Sequence, residues 1–480
     1  MRPVILWFRR DLRLSDNPAL AAALKSQCPV LPVYVLDETP GIRPLGSASR
    51  WWLDKSLQAL HADLLKRGSR LILRRGVAAD IIADLVRETG SAEVLFNAVF
   101  DPAVENRDRD MAGRLSQISC ETRRFNGGHL LGSDAPQTKA GGSYSVFTPY
   151  WRAARAQVEI GLHLPAPDAL PSPQAWPASE PLETWTLHPT GPDWSVGFSD
   201  WSPGEATAAA HLTDFVDLAL GTYGQDRDVP AIEGTSRLSP HLHFGEISPK
   251  ACWRAAVSAA HRNSVPEAQV EKFLAELGWR EFNTQIASRH ISLESRNFNP
   301  AFDSFPWRED PALFTAWTRG ETGYPIVDAG MRQLWKTGWM HNRVRMVVAS
   351  FLTKHLLLDW RLGEQWFWDT LVDADPASNP GNWQWVAGSG ADAAPYFRIF
   401  SPMAQGERFD PAGRYVQKWV PELRHLPAKL IHKPWLAPRE VLMRAGIRLG
   451  GNYPHPVVDH EVARKRALEA YADLRTGQLT

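Results

Sequence analysis

The residues with the clearest chemical potential begin at Thr235–Ser248, TSRLSPHLHFGEIS, where three hydroxyl side chains and Arg237 fall within five positions. Hydroxyls and backbone N–H groups at the start of a helix bind anions, so a phosphate group is the expected ligand. The alternative is a plain helix N-cap, which the same residue types supply. The spacing leaves both interpretations open. For His241 and His243 we expect a structural role, because no further cluster with metal-ligand spacing accompanies them.

A second polar cluster begins a strongly apolar helical pattern in GWMHNRVRM, residues 338–346. Asn342, Arg345 and Met346 stand at i, i+3 and i+4 and therefore share one helix face. That face continues into positions that the pattern predicts to be buried. A buried arginine needs an anionic or acceptor partner. A bound polar cofactor is one solution, and a solvated first turn is the alternative.

The remaining candidate segments mix tryptophan with charged or amide side chains. In EKFLAELGWREF, residues 271–282, Glu276 and Arg280 form an i, i+4 pair that either bridges at the surface or belongs to a functional face. The adjoining Trp279 favours the second interpretation, because aromatic faces stack on flat ligands. DADPASNPGNWQWVAG, residues 373–388, combines acidic and amide side chains, which prefer water, with tryptophans, which prefer burial. The GSGADA that follows fits GxGxxA but lacks the preceding strand that a dinucleotide site requires.

These segments must be positioned by the elements that the hydrophobic pattern predicts. Short apolar runs at 4–8, 30–36, 71–73 and 93–100 have the composition of strands and alternate with helical patterns. Such alternation predicts a parallel sheet covered on both faces. From about Ala206 the strand signal fades, and the patterns over Glu271–His290 and His341–Leu358 predict a mainly helical region. The proline-rich composition of the stretch between these regions predicts a long linker.

Composition excludes several classes of protein. The three cysteines, Cys28, Cys120 and Cys252, predict neither a disulfide framework nor a four-cysteine metal site. No apolar run is long enough to span a bilayer, and the N-terminus lacks signal-peptide character, so we expect a cytoplasmic protein without membrane association. The net charge of zero gives no support for nucleic-acid binding, which would require locally clustered arginines. The 21 tryptophans are an enrichment that core packing alone explains poorly.

Taken together and in order, the motifs resemble those of the DNA photolyase/cryptochrome family over nearly the whole chain. The resemblance is carried by WFRRDLRLSDN (7–17), TSRLSP (235–240), WREF (279–282), TGYPIVDAGMRQL (322–334), GWMHNRVRM and the segment 373–402. It implies a Rossmann-like α/β antenna-binding domain over residues 1–131, a linker over 132–205, and an all-α FAD-binding catalytic domain over 206–480. The two-domain prediction from periodicity and the resemblance therefore agree in fold class.

The resemblance also implies one non-covalent FAD, active as FADH⁻, and assigns its contacts. Positions that match the family's contacts to the phosphates, the ribityl chain and the flavin pocket are Tyr223, Thr235, Ser236, Arg237, Leu238, Ser239, Phe273, Arg280, Asn342, Arg345, Asp373, Asp375 and Asn379. By the same resemblance, Asp373 lies near Arg345. Asn379 lies beside flavin N5, where its amide oxygen would accept a hydrogen bond that favours the reduced flavin.

Three tryptophans match the family's electron-transfer chain, which runs from the flavin to the surface through Trp383, Trp360 and Trp307. An indole ring can lose an electron and recover it. A series of indoles therefore replaces one slow, long-distance transfer by several short ones.

The substrate implied by the resemblance is UV-damaged DNA with a cyclobutane pyrimidine dimer, which is flipped out of the duplex and reduced by excited FADH⁻. This is a carbon–carbon lyase reaction. Glu276 would form hydrogen bonds with the base edges of the dimer and stabilise the radical anion of the dimer. The other predicted substrate and DNA contacts are Trp279, Asn342, Met346 and Trp385, with Arg227, Arg343, Arg398 and Gln405 on the DNA backbone.

Within the family, Met346 with Glu276 and Trp385 resembles bacterial class I or class III cyclobutane photolyases, and we expect a monomer. The (6-4) branch typically has histidine at the position of Met346. The alternative function is that of a cryptochrome-type blue-light photoreceptor without repair. The expected antenna is 5,10-methenyltetrahydrofolate, with Glu38 as a candidate contact and a deazaflavin as the alternative, although residues 105–107 (Glu-Asn-Arg) depart from the usual folate pattern.

Overall fold

The computed structural model describes residues 2–132, 135–189, 191–262, 264–290, 292–393 and 397–477. The chain forms two compact units. The first, which we call the sheet unit, consists of Met1–Trp194, Trp201–Gly221 and Ser236–Ile291. The second, the helical unit, consists of Ser195–Asp200, Thr222–Thr235 and Ser292–Thr480.

The sheet unit is built on a five-stranded parallel sheet with the order β3-β2-β1-β4-β5. The strands are β1 (Val4–Phe8), β2 (Val30–Asp37), β3 (Ile72–Gly76), β4 (Glu93–Asn97) and β5 (Glu121–Phe125). The central strand β1 is buried at every position, as expected for a strand covered on both faces. The predicted α/β fold class is confirmed. The apolar runs located four strands, but they missed β5, whose sequence ETRRF is polar because it forms an edge of the sheet.

The part of the sheet unit that the structure describes contains nine α-helices. They are α1 (Pro18–Lys25), α2 (Ser47–Leu65), α3 (Ala78–Thr89), α4 (Pro102–Gln117), α5 (Phe147–Gln157), α6 (Glu205–Leu218), α8 (Ser239–His243), α9 (Pro249–His261) and α10 (Glu267–Arg289). The leucines that recur at helical spacing in α2, Leu53, Leu57, Leu60 and Leu64, are all buried. Helix α5 lies within the stretch predicted as a linker, and the domain bounds at 131 and 205 stay predictions.

The helical unit contains α7 (Tyr223–Asp226), α11 (Pro311–Arg319), α12 (Pro325–Thr337), α13 (Asn342–Ser350), α14 (Trp360–Thr370), α15 (Ser378–Ala387), α16 (Pro402–Phe409), α17 (Arg414–Trp419), α18 (Ala428–Ile431), α19 (Arg439–Arg444) and α20 (His460–Gly477). A π-helical turn, Phe351–His355, continues α13. The predicted helical character of the C-terminal region is confirmed.

One apolar core joins α12, α13, α14 and α15, and it includes Trp317, Trp360 and Trp383. The prolines at the first helical positions of α11 and α12 favour their start points, since a proline there forfeits no helical hydrogen bond. Among the described residues, no helix is long and apolar enough to cross a membrane.

Candidate functional site

Helix α13 places one of the predicted site residues, Arg345, against Asp373. Nη1 and Nη2 of Arg345 donate to the two oxygens of Asp373 at 3.1 and 2.8 Å, and Nε donates to the carbonyl of Met340 at 2.7 Å. Asp373 is buried. A bidentate ion pair with a buried carboxylate fixes the plane of the guanidinium and supplies the anionic partner that a half-buried arginine needs.

Asp375, two residues on, organises the start of α15. One of its carboxylate oxygens accepts hydrogen bonds from the backbone N–H groups of Ala377 and Ser378, at 3.0 and 2.8 Å. A carboxylate at this position also complements the positive end of the helix dipole. The backbone of Asn379 bonds the carbonyl of Asp375 at 2.9 Å, so the chain enters α15 in one defined way.

The amide of Asn379 is oriented by α14. Its Nδ2 donates to the side chain of Glu364 at 2.8 Å and to the carbonyl of the same residue at 3.0 Å. Both N–H groups of the amide are therefore used, and Oδ1 is left as an acceptor. Asn379 is 9% exposed and Glu364 is fully buried. A fixed acceptor at a nearly buried position suits a ligand that presents an N–H group.

Trp383 follows Asn379 by one turn of α15, so the two side chains project from the same face. The Trp383 ring is buried and packs edge-on against Phe367 with ring centroids 5.0 Å apart. Its tip approaches the backbone of α14 at Gly363, where a Cβ would lie 2.1 Å from the ring. Glycine at 363 is therefore a condition for the observed position of the ring.

Trp360 and Trp307 are the other two predicted electron carriers, and Trp307 packs against the core that contains Trp360. Trp360 is fully buried at the start of α14, and its indole Nε1 donates to Asn297 at 3.0 Å. Arg308, next to Trp307, forms an isolated bridge with Leu358. Trp307 is half-buried and stacks at an angle on Phe305, with ring centroids 4.4 Å apart.

A cluster of charges surrounds His341, the residue that caps α13. Nδ1 of His341 accepts from the backbone N–H of Arg343 at 3.2 Å. Arg343 in turn donates to Asp228 at 2.8 Å and lies over the ring of Phe409 at 4.3 Å. Burial lowers the pKa of His341 to about 4; Asp228 opposes this shift, and Arg345 and Arg343 add to it. His341 is therefore neutral at pH 7, as its role as a hydrogen-bond acceptor requires.

The other predicted residues of the helical unit fall into two groups. Tyr223 is buried in α7, with the guanidinium of Arg227 5.2 Å from its ring centroid. The rest are at least partly exposed: Thr235, Asn342, Met346, Trp385, Arg398 and Gln405.

In the sheet unit, α10 carries Glu276, Trp279 and Arg280. One face of Trp279 is covered by Phe147, whose ring centroid is 3.8 Å away in a nearly parallel plane. Arg280 donates to the carbonyl of Gly128 at 2.7 Å. Its guanidinium lies 3.6 Å from Glu281. Glu276 and Trp279 are half-buried, so both keep an accessible edge.

The segment Ser236–Ser239 turns sharply in the sheet unit. Arg237 adopts a left-handed φ of 50° and lies 4.4 Å from the centroid of the Trp201 ring. Leu238 is buried, whereas Ser236 is half-buried and Ser239 exposed. Phe273 is buried against Phe215 at 4.9 Å between centroids.

Two further predictions concern the sheet unit. Glu38 is exposed and paired with Arg75 at 2.6 Å. His241 is fully buried beside Glu246, which fits the structural role predicted for it. The described residues contain no group of three potential metal ligands.

Three residues that position the site side chains were not predicted from the sequence: Glu364, Gly363 and Asn297. A signal existed for Glu364, because it follows Trp360 by four residues and therefore lies on the apolar face of α14. A carboxylate on such a face requires a polar partner. No local pattern marks Gly363 or Asn297, since their partners come from distant parts of the chain.

Comparison with known proteins places this geometry in context. Residues 4–174 match the family model described as DNA photolyase, and residues 273–473 match that of the FAD binding domain of DNA photolyase. The chain is 52% identical to the deoxyribodipyrimidine photo-lyase of Agrobacterium fabrum, over 98% of both proteins. It is 37% identical to Cryptochrome-2 of Arabidopsis thaliana, over 100% of this chain and 80% of that protein.

Among solved structures, a bacterial class III photolyase from Agrobacterium tumefaciens superposes with a TM-score of 0.96 at 52% identity, covering 99% of this chain and 98% of the other. Similarity of this extent in both sequence and structure leaves one interpretation. The protein belongs to the DNA photolyase/cryptochrome family.

Proposed function

We propose that the protein is a deoxyribodipyrimidine photo-lyase that repairs cyclobutane pyrimidine dimers in DNA under light. The observation that carries this proposal is the pair formed on α15 by Asn379, whose oxygen is left as a fixed acceptor, and Trp383, one turn later. The 52% identity with a photo-lyase supports the same reaction.

The side chains fit a flavin cofactor. The test is Asn379: its N–H groups are occupied by Glu364, so the residue can only accept a hydrogen bond from a ligand. A reduced flavin presents such an N–H at N5. The ion pair of Arg345 with Asp373 adds a fixed polar group in the same unit. FAD is thus the cofactor that the residues suit.

The residues proposed to hold FAD are Tyr223, Thr235, Ser236, Arg237, Leu238, Ser239, Phe273, Arg280, Asn342, Arg345, Asp373, Asp375 and Asn379. When bound, the flavin would donate an electron after excitation by light. Asn379 would accept a hydrogen bond from the N–H at N5 through its Oδ1, because an amide oxygen accepts a hydrogen bond without taking the proton.

The proposed tryptophan chain serves to restore the reduced cofactor. Trp383 donates first, Trp360 refills it, and Trp307, the half-buried member, connects the chain to solvent. Trp360 and Trp383 belong to one apolar core, and Trp307 packs against that core. Packing of Trp383 against Gly363 fixes the first carrier.

Substrate binding is proposed to combine stacking with backbone contacts. Trp279, whose second face is not covered by Phe147, and Trp385 are suited to stack on the extruded bases. Glu276, Asn342 and Met346 are proposed to contact the dimer, with Glu276 accepting hydrogen bonds from its edge. The proposed contacts to the DNA backbone are Arg227, Arg343, Arg398 and Gln405.

A cryptochrome-type photoreceptor without repair activity is the alternative. Relatives of that name share less of the sequence, 37% for Cryptochrome-2 against 52% for the photo-lyase, which favours repair. For the antenna we propose 5,10-methenyltetrahydrofolate, with a deazaflavin as the alternative. Its proposed contact Glu38 would have to exchange its ion pair with Arg75. The monomeric state and the cytoplasmic location stay predictions.

The experiment that tests the proposal is illumination of the reduced holoprotein with an oligonucleotide that contains one cyclobutane dimer. Repair in the light and none in the dark is expected. Trp383→Phe should abolish photoreduction of the oxidised cofactor while repair by pre-reduced protein continues. A protein that binds FAD and photoreduces it but leaves the dimer intact would favour the photoreceptor.

A further inference from the structure

The middle electron carrier, Trp360, has a hydrogen-bond acceptor built for its indole. Its Nε1 donates to Oδ1 of Asn297 at 3.0 Å, and the ring is fully buried. Trp307 differs: within the described part of the chain its buried Nε1 has no acceptor. Because the acceptor of Trp360 comes from a loop more than sixty residues away, it is a feature of the tertiary fold.

Asn297 is itself held in place on two sides. Its Nδ2 donates to Asp303 at 2.7 Å, which polarises the amide and makes its oxygen a better acceptor. The buried amide of Gln384 bonds the backbone on either side of Asn297, at Arg296 (2.9 Å) and Phe298 (2.7 Å). Since Gln384 lies between two site tryptophans of α15, the acceptor and the electron chain share one support.

An arginine–aspartate pair also lies next to Trp360. The guanidinium of Arg361 lies 4.8 Å from the centroid of the Trp360 ring and disfavours the loss of an electron. Asp359 offsets this charge, because its two oxygens accept from Nη1 of Arg361 at 3.2 and 3.1 Å. The bond to Asn297 favours oxidised over neutral Trp360, since hydrogen bonds to charged groups are roughly twice as strong.

We propose that Asn297 is a positioning residue that stabilises oxidised Trp360 and keeps it protonated. The inference rests on the proposed electron chain. One electron leaves Trp360 for oxidised Trp383, and the indole keeps its Nε1 proton because a neutral amide oxygen is too weak a base to remove it. One electron from Trp307 then restores Trp360 without any proton transfer. An external thiol finally supplies the electron to Trp307.

The first test compares Asn297→Leu with the control Ser304→Ala, which removes a hydrogen bond to Ala301 in the adjoining turn. The hydrogen bond from oxidised Trp360 to Asn297 is stronger by about 1 kcal/mol than the bond from neutral Trp360. Its loss should lower the photoreduction yield about fivefold. The control should match the wild type. Repair by pre-reduced protein should be the same in all three, which separates electron supply from dimer splitting.

The second test changes the acceptor into a base. In the double variant Asn297→Asp/Asp303→Asn, the amide at position 303 can donate to the new carboxylate at position 297. That carboxylate takes the proton of oxidised Trp360, so transient absorption should show a neutral tryptophan radical where the wild type shows the cation. A purely structural role for Asn297 would not produce this spectral change. If Asn297→Leu fails to fold, Asp303→Asn serves instead and should lower the photoreduction yield in the same direction by a smaller factor.

A third readout needs no light. In ¹⁵N-indole spectra of the holoprotein, the Trp360 N–H, assigned with Trp360→Phe, should exchange slowly in the wild type and in Ser304→Ala and faster in Asn297→Leu. Wild-type photoreduction by Asn297→Leu, or a cation in Asn297→Asp/Asp303→Asn, would overturn the role of Asn297 while leaving the proposed repair function untouched. Undiminished photoreduction by Trp360→Phe would instead refute the electron chain, and this inference with it.

Discussion

Gly363→Ala perturbs the position of Trp383 without touching its chemistry. A Cβ at residue 363 would lie 2.1 Å from one ring carbon of Trp383, 2.5 Å from another and 2.7 Å from a methyl group of Leu352. Ordinary contact requires about 3.4 Å, so the ring must retreat by about 1.3 Å. Leu352 blocks part of that movement because it is itself fully buried.

The net cost follows from two opposing effects. Overpacking a core costs about 1–3 kcal/mol, whereas alanine in the interior of a helix gains about 1 kcal/mol over glycine. We therefore expect Gly363→Ala to lower the free energy of unfolding by up to about 2 kcal/mol. Gly113 in α4 is the matched control, since nothing lies within 4 Å of its Cβ position. Gly113→Ala should raise the stability by up to about 1 kcal/mol.

The assay combines denaturant unfolding with photoreduction and repair by pre-reduced protein. Displacement of the first electron donor should reduce the photoreduction yield of Gly363→Ala several-fold, whereas repair should be nearly unchanged. Gly113→Ala should photoreduce as the wild type does. A Gly363→Ala protein with wild-type stability and wild-type photoreduction would refute the close packing of Trp383 on α14.

Three further predictions address the neighbouring groups. Glu364→Gln lets the amide of Asn379 rotate, so the oxidised flavin should gain about 1 kcal/mol over the reduced form in a potentiometric titration; an unchanged potential would count against the orientation of Asn379. His341 has a pKa of about 4, below its unfolded value of 6.5, so its neutral form contributes stability above pH 6.5 that is lost as pH falls towards 4, up to about 3 kcal/mol. His341→Asn, a side chain that can also cap α13, should flatten that part of the profile of unfolding free energy against pH, and an unaltered slope would contradict it. Asp228→Asn releases Arg343 from its ion pair, so DNA affinity should rise and the slope of log K against log salt should steepen by about 0.9 in anisotropy titrations; an unchanged slope would show that Arg343 gains no phosphate contact.

Apolar periodicity was sufficient to predict the sheet and the helical region, because continuous burial and helical spacing are local properties of the sequence. The strand β5 was missed because an edge strand needs no apolar run; its sequence, Glu121–Phe125, is mostly charged. Local patterns also do not reveal that residues 236–291, although helical, pack into the compact unit of the sheet. That outcome depends on which surfaces meet, and no short window of sequence contains this information.

For the candidate site, the motifs predicted residue types but not their supports. The need of Arg345 for an anionic partner followed from its place on an apolar face, and Asp373 satisfies that need. The acceptor of Trp360 could not be predicted from the sequence. Asn297 lies in a loop with no motif, and Gln384 of α15 binds the backbone on either side of it. Long-range hydrogen bonds of this kind are set by the fold and not by local spacing.

The central claim is light-driven repair, and one measurement tests it most directly. The purified protein, with FAD fully reduced, is mixed with a duplex that contains a single cyclobutane dimer, and intact pyrimidines are counted after blue light and after an equal time in the dark. We predict restoration of the pyrimidines in the light and none in the dark. A protein that binds the damaged duplex and holds reduced FAD, yet restores no pyrimidines under light, would contradict the account.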